Sequence, residues 1–165
     1  MTMNKFYEKV NRLLEEYIGG QIFFTELDKA VKFDKDILQQ LVTYADSFRL
    51  NTGRTLTIAS GEIGLAMHNF GLNVDILVPG GLRHDPSKIN LEPFRNLLDG
   101  CAVIFIDDSF FSGRTFTVVE EEVRKYGGRV TKAIVAYDGS KERNRKVQSL
   151  YRYYDHYDIL GRPLK

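Results

Sequence analysis

The sequence predicts an α/β fold, a parallel sheet with helices on both faces, and three observations lead to it. Short apolar runs alternate with helix-period stretches between residues 55 and 137, in units of about 30 residues, which is the pattern of βαβ crossovers. One run, Ala102 to Ile106, is apolar without interruption, as a strand covered on both faces must be. The 165 residues are 43% hydrophobic and 27% charged, enough apolar side chain for one core and too little length for a second.

The elements follow in order. Phe6, Val10, Leu13, Leu14 and Tyr17 recur at helical spacing, and Gly19-Gly20 is read as the stop. Asp34 is a candidate N-cap for a second helix, whose apolar face is Ile37, Leu38, Leu41, Val42, Ala45 and Phe48. Beyond the Asn51-Thr52-Gly53 turn, residues 55–59 read as a strand, Ser60-Gly61-Glu62 as a turn and residues 63–70 as a helix. Residues 74–78 read as a second strand, 80–88 as a polar loop and 91–98 as a short helical stretch. The central strand, 102–106, then ends in two aspartates. Residues 116–126 form a helix with Phe116, Val119, Val123 and Tyr126 on one side, Gly127-Gly128 stop it, and 130–137 are the last strand. Beyond that, 141–146 read as a solvated helix face, and Tyr151, Tyr153, Tyr154 and Tyr157 as a cover or an oligomer contact.

This is a Rossmann-like order. In open parallel sheets ligands bind at the carboxyl ends of the strands. That rule selects Ser60-Gly61-Glu62, the loop 80–88 with Arg83 and Lys88, and the residues after Ile106.

Composition narrows the functions. Lys+Arg 23 against Asp+Glu 22 gives a net charge of +1, a poor balance for a protein that binds nucleic acid by neutralising phosphates. The C-terminal mixture of basic and aromatic residues leaves single-stranded RNA as a minor alternative. Cys101 is the sole cysteine and sits beside an apolar run, so it is read as a buried small hydrophobe, and no disulfide forms within the chain. His84 and His156 lack companions at metal-ligand spacing, so no zinc site is expected. The N-terminus has no signal-peptide pattern and no stretch is long and apolar enough to span a bilayer. A cytoplasmic location is the expectation.

The chemistry lies in Asp107-Asp108-Ser109-Phe110-Phe111-Ser112-Gly113-Arg114-Thr115. An apolar strand delivers two adjacent carboxylates, which can accept hydrogen bonds from vicinal hydroxyls. A small-residue turn then opens a helix whose unpaired N–H groups and dipole suit a phosphate, and Gly113 lets the backbone approach that anion closely. A phosphorylated ribose satisfies both halves.

Residues 103–115 as a whole resemble the thirteen-residue phosphoribosyl pyrophosphate (PRPP) motif of the type I phosphoribosyltransferases, and the order of elements over about residues 54–138 agrees with that family. The resemblance implies a single phosphoribosyltransferase-like domain, 1–165, in which 1–50 form a helical cover and 139–165 a C-terminal segment. Asp107 and Asp108 are implied to hold the ribose hydroxyls, and Ser109, Phe110, Phe111, Ser112, Gly113, Arg114 and Thr115 the 5′-phosphate. Ser60, Gly61 and Glu62, with Arg83 and Lys88, are implied to bind pyrophosphate. Mg²⁺ comes with PRPP, with Asp107 and Asp108 as its protein-side neighbours.

The implied activity is transfer of a phosphoribosyl group to a nucleobase-like nitrogen acceptor, in a homodimer. Base choice is implied to reside in a hood, formed either by the N-terminal helices or by the tyrosine-rich C-terminus. Phe111 stands where 6-oxopurine members carry an acidic residue, which points away from hypoxanthine and guanine. Glu62 in the first turn and Phe111 in the phosphate loop also fit an alternative, a PRPP- or nucleotide-binding regulatory protein without transfer chemistry. A nucleotide hydrolase or phosphorylase-like activity of the same pocket is a weaker third reading.

Overall fold

The computed structural model describes residues 2–17, 21–49, 53–78 and 89–164. Strands β1 (Thr55–Ala59), β2 (Ile76–Leu77), β3 (Ala102–Phe110), β4 (Arg129–Asp138) and β5 (Val147–Arg152) form one sheet of order β2-β1-β3-β4-β5, parallel throughout. Six α-helices accompany them among the described residues: α1 (Thr2–Glu16), α2 (Gln21–Lys32), α3 (Lys35–Asp46), α4 (Gly61–Asn69), α5 (Arg95–Leu98) and α6 (Arg114–Lys125).

Side-chain alternation along the strands builds two layers. Ala59, Ile104, Ile106 and Ile134 face one side, where Phe6 and Val10 of α1, Phe23, Leu27 and Val31 of α2, Ile37, Leu38 and Leu41 of α3, and Ile63 and Met67 of α4 close over them. Ile58, Val103, Phe105, Ala133 and Val135 face the other, under Leu98 of α5 and Phe116, Val119 and Val123 of α6. Each fully buried Leu, Ile or Phe contributes about 1.5–3 kcal/mol, so both faces hold the sheet. Asp34 caps α3 as expected, its carboxylate accepting from the Asp36 and Ile37 amides at 3.0 and 3.3 Å. Such a cap contributes about 1 kcal/mol.

The chain leaves β1 in one direction toward β2 and then crosses back past β1 to β3. The reversal opens a crevice at the carboxyl ends of β1 and β3, a topological switch point.

Several expectations are corrected. An entire helix, α2, occupies part of the stretch between Gly20 and Asp34 for which no element is predicted. β3 does not end at Ile106 but runs on to Phe110, because its pairing with β4 continues through Ser109↔Tyr137 and Phe110↔Asp138. The 74–78 strand shortens to Ile76–Leu77. Residues 63–70 start their helix earlier, at Gly61, so Ser60 is an N-cap position and Gly61 and Glu62 are its first turn. Residues 91–98 begin with a 3₁₀ turn over Glu92–Phe94 before α5. Residues 141–146 are not helical, and β5 follows them as the fifth strand. Tyr151 is correspondingly in the core at 0% exposure, donating to Asn11 Oδ1 at 2.8 Å, instead of lying over the surface. Cys101 is buried as read, its thiol donating to the Leu97 carbonyl at 2.9 Å. Among the described residues no helix is long and apolar enough to cross a membrane.

Candidate functional site

A cavity of about 430 Å³ lies at the switch point, within the size range of small-molecule sites. Its lining joins Ser60, Gly61 and Glu62 from the start of α4 with Asp107 to Thr115 from the end of β3 and the start of α6. Two segments about fifty positions apart in sequence therefore meet in one site. Arg83 and Lys88, the other residues expected here, and His84 lie outside the described residues, as do the Gly19-Gly20 stop and the Asn51-Thr52 part of the turn.

The junction is made by hydrogen bonds. The Ser60 amide donates to the Ile106 carbonyl at 3.0 Å, extending the β1–β3 ladder by one step. The Ser60 hydroxyl then donates to Asp107 Oδ1 at 2.8 Å, and the same oxygen accepts the Asp108 amide at 2.8 Å. Ser109 Oγ donates to Asp108 Oδ1 at 3.3 Å. Both carboxylates are half-buried, and their charge is costly there. Burial pushes the Asp107 carboxyl up, with the hydrogen bonds from Asp108 and Ser60 opposing it. Asp108 is raised well above the usual carboxylate range by burial, by the adjacent Asp107 charge, and by the hydrogen bond and charge of Asp28 on α2.

Beyond Phe110 the chain turns through Phe111 and Ser112 to Gly113, whose φ of 80° lies in the left-handed region that a glycine enters without a side-chain penalty. Gly113 is the N-cap of α6 and supplies no side-chain oxygen to it. The Arg114 amide reaches Ser112 Oγ at 3.4 Å, and first-turn amides have no partner within a helix. Those amides, the helix dipole and the exposed Arg114 form the electropositive end of the cavity.

Sequence reasoning missed the contribution of α2. Phe24, Leu27 and Asp28 line the cavity, and Lys32 Nζ bridges Asp28 Oδ2 at 2.7 Å and Glu62 Oε2 at 3.2 Å. Burial alone would lower the Lys32 pKa, but its hydrogen bonds and attraction to Asp28 and Glu62 outweigh that and raise it. Glu62, which would repel an anion in the first turn, is thus held by a cation. The signal for this helix was present in the sequence: Phe23, Leu27 and Val31 at i, i+4 and i+8, with Asp28 and Lys32 as an i, i+4 ion pair.

Phe111 stands at the rim. Its ring meets Phe24 edge to face at 5.1 Å and Tyr137 at 5.6 Å, and it packs so closely on Gly139 that a Cβ there would stand 2.6 Å from the ring.

The sequence matches no protein-family model and no curated protein. Solved structures share its fold. A phosphoribosyltransferase from Corynebacterium diphtheriae aligns at 12% identity with a TM-score of 0.50, over 76% of this chain and 80% of that one. A hypoxanthine-guanine phosphoribosyltransferase from Bacillus anthracis aligns at 13% identity and TM-score 0.46, over 79% and 82%. One from Leishmania tarentolae, in complex with GMP, aligns at 13% and TM-score 0.40, over 78% and 77%. The likeness is one of fold, and that fold is the α/β architecture of the type I phosphoribosyltransferases.

Proposed function

We propose that this protein transfers the phosphoribosyl group of PRPP to a nucleobase-like nitrogen, releasing pyrophosphate. The observation that carries the reading is the adjacency, in one cavity, of two hydrogen-bonded carboxylates and an uncapped helix N-terminus. A ribose with a 5′-phosphate needs acceptors for its hydroxyls beside donors for its phosphate.

In this reading Asp107 and Asp108 accept from the ribose hydroxyls, and the α6 amides with Ser112, Arg114 and Thr115 hold the 5′-phosphate. Ser60, Gly61 and Glu62 lie toward the diphosphate, with Arg83 and Lys88, from the sequence between β2 and α5, as further candidates. The acceptor nitrogen attacks the anomeric carbon, the carbon–oxygen bond to the diphosphate breaks, and its electron pair leaves with pyrophosphate. The acceptor nitrogen then gives its proton to solvent. Positive charge develops on the ribose during that displacement, and the negative charge that Asp107 and Asp108 carry when ionised stabilises it.

The donor set fits Mg²⁺ carried by the ligand: two carboxylates and the Ser60 hydroxyl are hard oxygens, and they lie beside the place where the phosphates would be. Among the described residues no cluster of three or more His, Cys, Asp or Glu side chains could hold a metal by itself. When bound, the ion neutralises diphosphate charge, and Asp107 and Asp108 are the residues that would hold it.

Phe111 supports a second reading, since it places no titratable group in the phosphate loop: a binding protein that keeps PRPP intact. Calorimetric titration with Mg²⁺ and PRPP tests the site, and pyrophosphate release with a panel of nitrogen heterocycles tests the transfer. Binding that is weakened about 10–100-fold by Asp108→Asn, the cost of a charge-assisted hydrogen bond, supports the site. Binding unchanged in that variant overturns it, and tight binding with no acceptor-dependent pyrophosphate selects the second reading.

A further inference from the structure

The wall that α2 contributes has a composition of its own. Phe24 and Phe111 are large apolar side chains left 39% exposed, and both line the cavity. Leu27 continues that surface, and Asp28, only 6% exposed, stands beside it with its carboxylate on Lys32 and hydrogen-bonded with Asp108. Such a surface accepts a flat apolar ring and offers an acceptor at its edge for one N–H.

Charge restricts the ring further. The described lining residues bring four carboxylates, Asp28, Glu62, Asp107 and Asp108, against a single cation, Arg114, which sits at the α6 end. Lys32 compensates Asp28 and Glu62 from outside the lining. Among the described lining residues an anionic group placed against α2 would therefore face negative charge with no cation of its own, whereas an N–H donor would be stabilised.

We infer that α2 is the acceptor-recognising wall, binding an uncharged nitrogen heterocycle against Phe24, Leu27 and Phe111 with an N–H on Asp28, and rejecting acceptors that carry a carboxylate. The inference rests on the phosphoribosyl reading of the neighbouring subsite. It assigns the role of base recognition to the N-terminal helices, and Phe24 and Asp28 are its specificity-determining residues.

Product-like probes separate the two. In calorimetric titrations with Mg²⁺ present, ribose 5-phosphate reports the shared subsite, adenosine 5′-monophosphate adds an uncharged ring, and orotidine 5′-monophosphate adds a carboxylated one. The expected result is that the adenosine nucleotide binds about tenfold or more tighter than ribose 5-phosphate, the worth of ring stacking on aromatic side chains, and that the orotidine nucleotide gains nothing. Phe24→Leu should remove most of the adenosine gain while leaving ribose 5-phosphate binding in place. Asp28→Asn should improve orotidine nucleotide binding relative to ribose 5-phosphate in the same variant. A carboxylated ring that binds tighter than ribose 5-phosphate, an adenosine ring that adds nothing, or an adenosine gain undiminished in Phe24→Leu overturns the α2 assignment and leaves the phosphoribosyl reading standing. Failure of ribose 5-phosphate itself to bind overturns both.

Discussion

In the proposed reading Asp108 sets stability against ligand binding within one side chain. It is raised well above the usual carboxylate range by burial, by Asp107 and by Asp28, and Asp107 is raised with it. The native state therefore binds more protons than the unfolded chain once the pH exceeds the unfolded carboxylate value near about 4. Stability is highest below that pH and falls as the pH rises through the raised folded values. Asn in place of Asp108 is isosteric with the neutral acid and cannot ionise, so Asp108→Asn should match the wild type near pH 4 and melt higher at pH 7–8. A relief of about 1 kcal/mol would read as about 2–4 °C in a domain of this size. The measurement is melting temperature against pH by circular dichroism. A variant that melts below the wild type at pH 8 would show that the ionised Asp108 carboxylate stabilises the fold, contrary to its burial beside Asp107 and Asp28. The same substitution should cost ligand binding, so a more stable, less active variant is the signature of a site held against its own repulsion.

At the scale of elements, α2 and α4 are joined by Lys32, and two separate effects are predicted for that joint. Removing it in Lys32→Met leaves the Asp28 carboxylate buried without its cation, at a cost of roughly 1–3 kcal/mol, and leaves Glu62 uncompensated at the cavity. Both the melting temperature and the affinity for Mg²⁺ with PRPP should fall. Adding Glu62→Gln should restore affinity toward the wild type without restoring the melting temperature, because the neutral amide removes the repulsion at the cavity but does nothing for Asp28. Affinity unaltered in the single variant would remove Glu62 from the ligand's electrostatics.

The elements also show what was readable in advance. β1, β3, β4, α3 and α6 follow from periodicity, from the Asp34 cap and from the glycines that stop them, and the carboxylate pair at the end of β3 follows from where the apolar run ends. The end of β3 itself did not, because Asp107 to Phe110 keep strand pairing with β4 while their side chains serve a polar cavity. β5 was hidden for a different reason. A parallel neighbour normally needs a crossover of a dozen or more residues, usually helical, whereas here residues 139–146 make the return without a helix. Arg152 makes this possible: it lies buried against Asp138 Oδ2 at 3.1 Å and donates to the carbonyls of Ser140 and Lys141 at 2.8 and 3.3 Å, satisfying a tight loop from inside. No local pattern in the charged run 141–146 announces a partner eleven or twelve positions away.

Across the whole molecule, two apolar layers support a site that is electrostatically unbalanced by design of the sheet: the switch point gathers carboxylates at one end of the cavity and helix amides at the other. Binding of Mg²⁺ and PRPP would correct both ends at once, so the ligand should act as a stabiliser of the fold. At a hundred times Kd the linkage contribution is about 2.7 kcal/mol, or about 5–11 °C for a domain of this size. The shift should depend on pH in a direction set by Asp107 and Asp108. Below their raised folded pKa the carboxyls carry protons that must be displaced before each can accept from ribose hydroxyls or face the cation, so binding is weaker there; above it they are ionised and poised. The ligand-induced rise in melting temperature should therefore be larger at pH 8 than at pH 5, should shrink when EDTA removes the Mg²⁺, and should keep only the weaker pH dependence of Asp107 in Asp108→Asn. A rise that is equal at both pH values in the wild type would mean that the phosphate end alone binds the ligand and that the carboxylate pair takes no part.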